Sequence, residues 1–552
     1  MRWCWVLCFL TVVLCGEATA QTQYAFRISF TDKVGAPSTS NPLVFLSQRA
    51  LDRRTAQGIA VDSIDRPVSP TYIDSVLKLT SGKRHVVSKW LNTFVVLLND
   101  SSKILNLQGK TFIKEVKYIA FFPSGLHKPS GDNSKHEEQG TLSKATGTAA
   151  YYGATYDQTK ALNGDYLHDL GYKGEDMLIA VFDEGFRHVD TGPAFDSMMK
   201  SGRLVDQHNF VLDNNTVFDY STHGTYSLSA IAGNLPGIYV GSAPRAKFAI
   251  YCTEHGSTEQ PIELDNLVAA LERSDSVGAD VVSISLGYNE FFTPVPYTID
   301  YATELDGKTT VAAKGVNIAT SRGMLIVPSA GNEGNNSWKY ILTPGDADSA
   351  LTVGNVNINK QPASASGYGP NAAGTIKPNV CVVGQPAALM LSNTTPASIS
   401  GTSFATPQLA GWAACLIQST KDPTPYKIRT AIEKSAHIYT TPGAQLGYGV
   451  PDFRKAFNFL HVDSPIAASS DWLQVGPNPF TNTLDIRLLQ SFNGQLDILL
   501  TDATGKVVYQ LNSKAFQGSQ KITLDLPELS RGVYFLKVIT DSDERSVKLV
   551  KR

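Results

Sequence analysis

Residues 151–460 predict an α/β unit built on a parallel sheet, with a small α+β domain before it and a small all-β sandwich after it. Three observations carry that prediction. Met177-Leu178-Ile179-Ala180-Val181-Phe182 and Met324-Leu325-Ile326-Val327-Pro328 are unbroken apolar runs of strand length, as in parallel strands buried on both faces. Between residues 21 and 125, strand-like segments at 24–30, 93–98 and 112–119 surround a helical 71–79, an alternation that suits a small α+β fold. Beyond residue 472, short strand-like segments at 484–489, 496–500, 507–511, 521–526, 533–539 and 546–550 are punctuated by Asn493-Gly494, Thr504-Gly505 and Arg531-Gly532, the pattern of a sandwich.

At 552 residues the chain exceeds one ordinary domain. Its 42% hydrophobic and 18% charged residues are those of a globular protein, and a net charge of −2 gives no reason to expect nucleic acid. Residues 1–20 read as a signal peptide: Arg2 opens it, residues 5–15 are apolar, and Ala18-Thr19-Ala20 precedes Gln21. Leu14 fits poorly before a lipid-anchoring cysteine at Cys15, and no later stretch reaches the ~18 apolar residues of a membrane span. Cys252, Cys381 and Cys415 then remain, all in apolar contexts, and are expected to be buried small hydrophobes. Linkers are expected at 126–150, where 128–140 is polar, and at 461–471, rich in Ser, Ala and Pro.

The chemistry is sought just past the buried strands. Gly401-Thr402-Ser403-Phe404-Ala405-Thr406-Pro407 places a serine between a glycine turn and a helix-forming run. It suits an ordinary helix cap. It also suits a hydroxyl set among unpaired amides at the positive end of a helix, where an oxyanion would be stabilised. A serine nucleophile needs a histidine to take its proton and a carboxylate to hold that histidine's tautomer. Among ten histidines, His223 alone has a positioning context, because Ser221-Thr222-His223-Gly224-Thr225 opens a small-residue helix that closes at Gly233. A surface or satisfied core histidine is the bland alternative. Asp183 ends the first apolar run, outside the carboxyl end of a parallel strand, where open sheets bind ligands. Gly185 gives the turn after it, and Glu184 should face the other side. Asn332, in Gly331-Asn332-Glu333-Gly334, suits either a turn residue or a side-chain donor to an oxyanion.

In the order Asp183, His223, Asn332, Ser403, each inside its own signature, the chain resembles the subtilisin-like serine proteases over roughly residues 150–460. Val281-Val282-Ser283-Ile284-Ser285-Leu286-Gly287 is similar to the strand that borders the primary specificity pocket. Segments 351–354, 364–370 and 377–380 resemble those before the serine motif, and Gly447-Tyr448-Gly449-Val450-Pro451-Asp452 resembles the closing segment. Glu184 stands where the family more often has Ser or Thr, and Phe404 where Met is usual; neither is a reacting group. The resemblance implies a parallel sheet with helices on both faces and an exported endopeptidase working through an acyl-enzyme. It implies Ser403 as nucleophile, His223 as general base and then acid, and Asp183 as orienting carboxylate. The Ser403 amide and Asn332 would form the oxyanion hole, and Ser285, Leu286 and Gly287 would bind substrate. This chemistry requires no metal or other cofactor; structural calcium, common in the family, has no ligand loop here. A catalytically silent surface adhesin on a protease fold is the alternative function.

Residues 21–125 carry 14 basic against 7 acidic residues, leaving −9 on residues 126–552. A basic piece before an acidic one invites docking. The segment resembles the inhibitory, folding-assisting propeptide of the family, with a cut within or near 128–140; a permanent accessory domain is the alternative. Residues 472–552 run from Pro477-Asn478-Pro479-Phe480 through Gly532-Val533-Tyr534 to a basic end at Arg552. They resemble the C-terminal sorting domains of the type IX secretion system, a carbohydrate- or protein-binding β module being the alternative. The expected partners are protein or peptide substrates and the type IX machinery. The protein is expected to be a monomer, exported and then released or held at the outer-membrane surface. Residues 288–306 read as a lengthened loop beside the substrate cleft.

Overall fold

The computed structural model describes residues 21–123, 148–461 without 257, 293, 294 and 422, and 468–552 without 470, 471, 489–491, 519, 520, 527 and 542. The expected signal peptide at 1–20, the polar connector at 128–140 and most of the second linker lie outside the described residues.

The central sheet runs Leu325–Pro328, Val281–Ile284, Leu178–Asp183, Lys247–Cys252, Leu204–Asn209, with every neighbouring pair parallel. Alternate residues of one strand feed opposite layers, as the pleat requires. Ile179 and Val181 pack with Leu228, Ile231, Leu409 and Ala413. Leu178, Ala180 and Phe182 pack with Leu267, Leu271, Ala312 and Val316. Helices His223–Ala232 and Thr402–Gln418 therefore cover one face, and Ile262–Val277 and Val311–Ser321 the other. A parallel pair, Val353–Val356 and Val380–Val383, joins the sheet through a Ser329–Val353 bridge. The chain reverses its direction of strand addition at Leu178–Asp183. Such a reversal opens a crevice beyond the strand ends, and Asp183 is the residue at that end.

The N-terminal unit is an antiparallel sheet in the order Lys83–Ser88, Thr93–Leu98, Gln23–Phe30, Ile113–Phe122, with helices Gln48–Ala56 and Pro70–Thr80. It is docked on the Ile262–Val277 helix. Arg27 donates to both oxygens of Asp265, at 2.6 and 2.5 Å, and Arg54 bridges Asp65 and Asp275. Glu272 accepts from the Ser88 hydroxyl at 2.6 Å and from the Lys89 and Trp90 amides at 2.9 and 3.0 Å. Val86, Trp90, Val95 and Leu97 lie in one apolar cluster with Leu267 and Ala270, so the core continues across the junction.

The C-terminal unit packs two antiparallel sheets, Ala468–Ser469, Leu473–Gly476, Thr483–Leu488, Lys521–Asp525 and Val507–Gly518, Phe492–Asp502, Gly532–Thr540, Glu544–Lys551. Leu484, Ile486, Ile498, Leu500, Leu536 and Val538 meet between them. One expected turn is corrected: Asn493-Gly494 lies inside a strand, opposite Gln517 and Phe516, where the register shifts before Leu496. A glycine within a strand marks such a bulge. Thr504-Gly505 does turn the chain, with Gly505 at φ +86°.

Candidate active site

Asp183, His223, Asn332 and Ser403 arrive on four separate elements at the carboxyl end of the sheet. Asp183 is the last residue of its strand and is fully buried. His223 is the first residue of its helix, with its amide donating to Ser221 Oγ at 3.1 Å. Its Nδ1 bonds Asp183 Oδ1 at 2.5 Å, a contact that holds the imidazole in one orientation and one tautomer. Gly224 permits that approach, because a Cβ there would stand 2.3 Å from the Gly185 carbonyl oxygen and 2.8 Å from Asp183 Cβ. Glu184 donates its amide to Asp183 Oδ1 at 2.9 Å, so Asp183 is the carboxylate that meets the imidazole.

Ser403 is the second residue of helix Thr402–Gln418, ahead of the first amide that can bond within the helix. Its hydroxyl donates to the Ser285 carbonyl at 3.1 Å, and the Ser285 hydroxyl donates to the Ser403 carbonyl at 2.9 Å. This reciprocal pair ties the serine turn to the end of the Val281–Ile284 strand. The Phe404 ring lies 5.3 Å from the His223 ring, centroid to centroid, so the serine helix and the histidine helix share a contact. His223 and Ser403 are 7% and 8% exposed, where partial desolvation strengthens any charge interaction.

Asn332 follows the Leu325–Pro328 strand and is exposed to the cleft. Its Oδ1 accepts from the amide and the hydroxyl of Thr402, both at 3.0 Å. The carboxamide is thereby oriented with its NH2 as the outward group. The left-handed residue of this turn is Gly331, at φ +89°, and not Asn332. Thr402 and Gly224, which hold Asn332 and admit His223, are neighbours of the site that residue type alone does not mark. The only sequence signal for them was adjacency to Ser403 and His223.

Leu286 and Gly287 continue from Ser285 into a cavity of about 490 Å³ lined by Gly287, Tyr288, Glu259, Glu290, Glu333 and Trp338 among others. Residues 288–306, expected as a lengthened loop, include a Glu290–Phe291/Tyr297–Thr298 hairpin, whose Glu290 and Thr298 line this cavity, and a short helix Tyr301–Glu304. Cys252, paired in register with Asp183, is buried and free, and burial with the neighbouring Asp183 charge pushes its thiol well up. Cys381 and Cys415 are likewise free and buried. Among the described residues no group of three or more His, Cys, Asp or Glu could hold a metal ion, and no helix is long and apolar enough to cross a membrane.

Comparison with known proteins matches all three units. The family described as "Subtilase family" matches residues 174–454, the "Peptidase S8 propeptide domain, Bacteroidota" residues 25–137, and the "Secretion system C-terminal sorting domain" residues 474–552. Thermophilic serine proteinase of Bacillus sp. (strain AK1) is 27% identical over 52% of this chain and 62% of its own length. Subtilisin BL of Lederbergia lenta is 29% identical over 51% of this chain and 90% of its own. The structure of the prenylagaramide maturation protease PagA covers 53% of this chain and 98% of its own at 22% identity, with a TM-score of 0.42. The chain belongs to the subtilase family of serine peptidases, with a Bacteroidota-type propeptide domain before its catalytic unit and a secretion-system sorting domain after it.

Proposed function

We propose that the protein is an exported serine endopeptidase in which Ser403, His223 and Asp183 act as nucleophile, base and orienting carboxylate. The Asp183–His223 hydrogen bond of 2.5 Å is the observation that carries this reading. Rotation of the Ser403 hydroxyl away from Ser285 toward His223 Nε2 starts the reaction. As Ser403 Oγ attacks the peptide carbonyl carbon, its proton passes to Nε2, and the imidazolium that forms is stabilised by Asp183. The carbonyl oxygen, now negative, is met by the Ser403 amide and the Asn332 NH2. His223 then gives the proton to the leaving amine, the C–N bond breaks, and water repeats the sequence on the acyl-enzyme. The substrate backbone lies along Ser285, Leu286 and Gly287 as an added strand.

The N-terminal unit acts as the propeptide, and its release follows cleavage within or near 128–140. The Phe121 amide donates to Gln260 Oε1 at 2.8 Å, so the last described strand of this unit ends beside the segment that walls the cleft. The C-terminal unit directs the protein to the type IX machinery, which places it outside the cell or on its outer surface. N-terminal sequencing of the secreted protein tests the first point, and a start at Gln21 refutes it.

Fluorophosphonate labelling tests the catalytic assignment. Wild type is expected to label and Ser403→Ala to fail. A correctly processed wild type that does not label would favour the silent adhesin.

A further inference from the structure

The cavity beyond Gly287 has an unbalanced charge. Glu259, Glu290 and Glu333 line it, and among the described residues no lysine, arginine or histidine does. Behind it stand Glu254 and Glu263. Glu263 is 1% exposed, accepts from the amides of His255 and Gln260 at 3.2 and 3.5 Å, and shares a hydrogen bond with the Glu259 carboxyl. Glu254 Oε2 and Glu259 Oε2 are buried without a hydrogen-bond partner among the described residues. A second observation is independent of the carboxylates. Tyr288, in the cavity wall, is 1% exposed, and its hydroxyl also has no partner among the described residues. Buried polar atoms in folded proteins are normally paired, and an orphaned one facing a cavity points to a ligand that pairs it.

The position of the cavity identifies which part of a substrate would enter. Gly287 stands two residues after Ser285, which receives the Ser403 hydroxyl, and Glu333 follows Asn332. On the substrate path proposed above, along Ser285, Leu286 and Gly287, a side chain entering here belongs to the residue just before the cleaved bond. The wall also carries Trp338, Phe292 and Leu342, so an occupant needs an apolar stem as well as a positive head. Glu333 accepts from the Asn336 side-chain carboxamide, which fixes one of the carboxylates in place.

We propose that this cavity selects substrates with lysine or arginine immediately before the cleaved bond, the head group pairing with Glu259 and Glu333 and the Tyr288 hydroxyl. The inference rests on the proteolytic reading above. Burial and mutual repulsion agree with it: Glu259 is pushed up to about 7, first by desolvation and also by Glu184, and burial lifts Glu333. A bound cation would relieve both.

The test uses the matured enzyme and a matched peptide series that differs only before the cleaved bond, comparing lysine with norleucine, its uncharged isostere. The lysine:norleucine ratio of kcat/KM is expected to be ~10- to 100-fold, the span of one or two charge-assisted hydrogen bonds. Glu259→Gln and Glu333→Gln are each expected to lower it several-fold. The ratio does not depend on how much of a variant folds. A ratio at or below one in wild type overturns the proposal while leaving the protease assignment intact. A lysine preference that survives both Glu259→Gln and Glu333→Gln unchanged overturns it too, because the cavity carboxylates would then not be what selects the positive head. No hydrolysis of any peptide, with no fluorophosphonate labelling, overturns both readings.

Discussion

Gly224→Ala tests whether the Asp183–His223 contact is set by backbone approach. The added methyl would begin 2.3 Å from the Gly185 carbonyl oxygen, where ordinary contact starts near 3.4 Å. The obstacle is backbone, so the start of the His223–Ala232 helix must retreat by about 1 Å. That opens the 2.5 Å Nδ1–Oδ1 contact to roughly 3.5 Å, past hydrogen-bonding range. Misplacement by ~1 Å costs about 10²-fold, and complete loss of tautomer control approaches ~10⁴-fold. The expected fall in kcat/KM therefore lies between those limits, or about 3 to 5 kcal/mol of transition-state stabilisation. Overpacking removes about 1–3 kcal/mol of stability, so the variant stays folded. Hydrolysis of a peptide substrate per folded molecule, with the rate of the chain's own maturation followed on gels, measures the loss. Gly443→Ala is the control, since nothing lies within 4 Å of its Cβ position. Activity of Gly224→Ala within threefold of wild type would refute the reasoning.

Three further outcomes are expected. Asn332→Asp keeps an acceptor for Thr402 but presents an anion to the oxyanion. Turnover should fall ~10²- to 10³-fold or more with KM nearly unchanged, as steady-state kinetics would show. His85, 4% exposed among Asn266, Asp213, Lys83 and His208, is driven by burial down to about 4. Neutral when folded, it takes up a proton on unfolding below pH 6.5. Its contribution is therefore intact above that pH and is lost as pH falls toward 4, by about 2 kcal/mol at pH 5. In the full-length Ser403→Ala chain, His85→Leu should narrow the gap between melting temperatures at pH 7 and pH 5; an unchanged gap contradicts this. Phe480 is fully buried, with the Tyr534 ring at 6.2 Å and Lys551 Nζ at 5.8 Å from its ring. Phe480→Ala should cost the C-terminal unit about 3–5 kcal/mol, seen as an earlier denaturant transition of that unit alone.

The buried strands were legible because a segment covered on both faces has no polar residues to interrupt it, as in Leu178–Asp183. The candidate site was legible because each reacting side chain sits beside glycines that its backbone needs. Helix Gln48–Ala56 was not foreseen. Its sequence, QRALDRRTA, has no apolar stripe, and it is buried through Arg53 and Arg54 meeting acids more than two hundred residues away. The acidic cavity was hidden for a related reason: Glu259, Tyr288 and Glu333 reach it from three segments, and the motif around Glu333 marks Asn332 rather than the glutamate. The misread Asn493-Gly494 shows the converse, where a strong local turn signal was absorbed as a bulge once long strands flanked it.

The Ile262–Val277 helix links docking to specificity. Its body presents Asp265, Glu272 and Asp275 to the N-terminal unit, while Glu263 at its start backs the cavity. Ion pairs at such a junction roughly break even, because each partner regains water on separation. The apolar contacts of Val86, Trp90, Val95 and Leu97 with Leu267 and Ala270 therefore supply most of the affinity, and the arginines fix the register. Replacing Arg27 and Asp265, whose side chains pair with each other, together by uncharged residues should then leave the docked unit bound but loosen its alignment. Replacing Trp90 by Ala should release it. The same division fits an N-terminal unit that carries +7 beside an acidic cavity: its arginines meet Asp265 and Asp275 on the helix, while Glu259, Glu290 and Glu333 line the cavity without a basic residue beside them among the described residues.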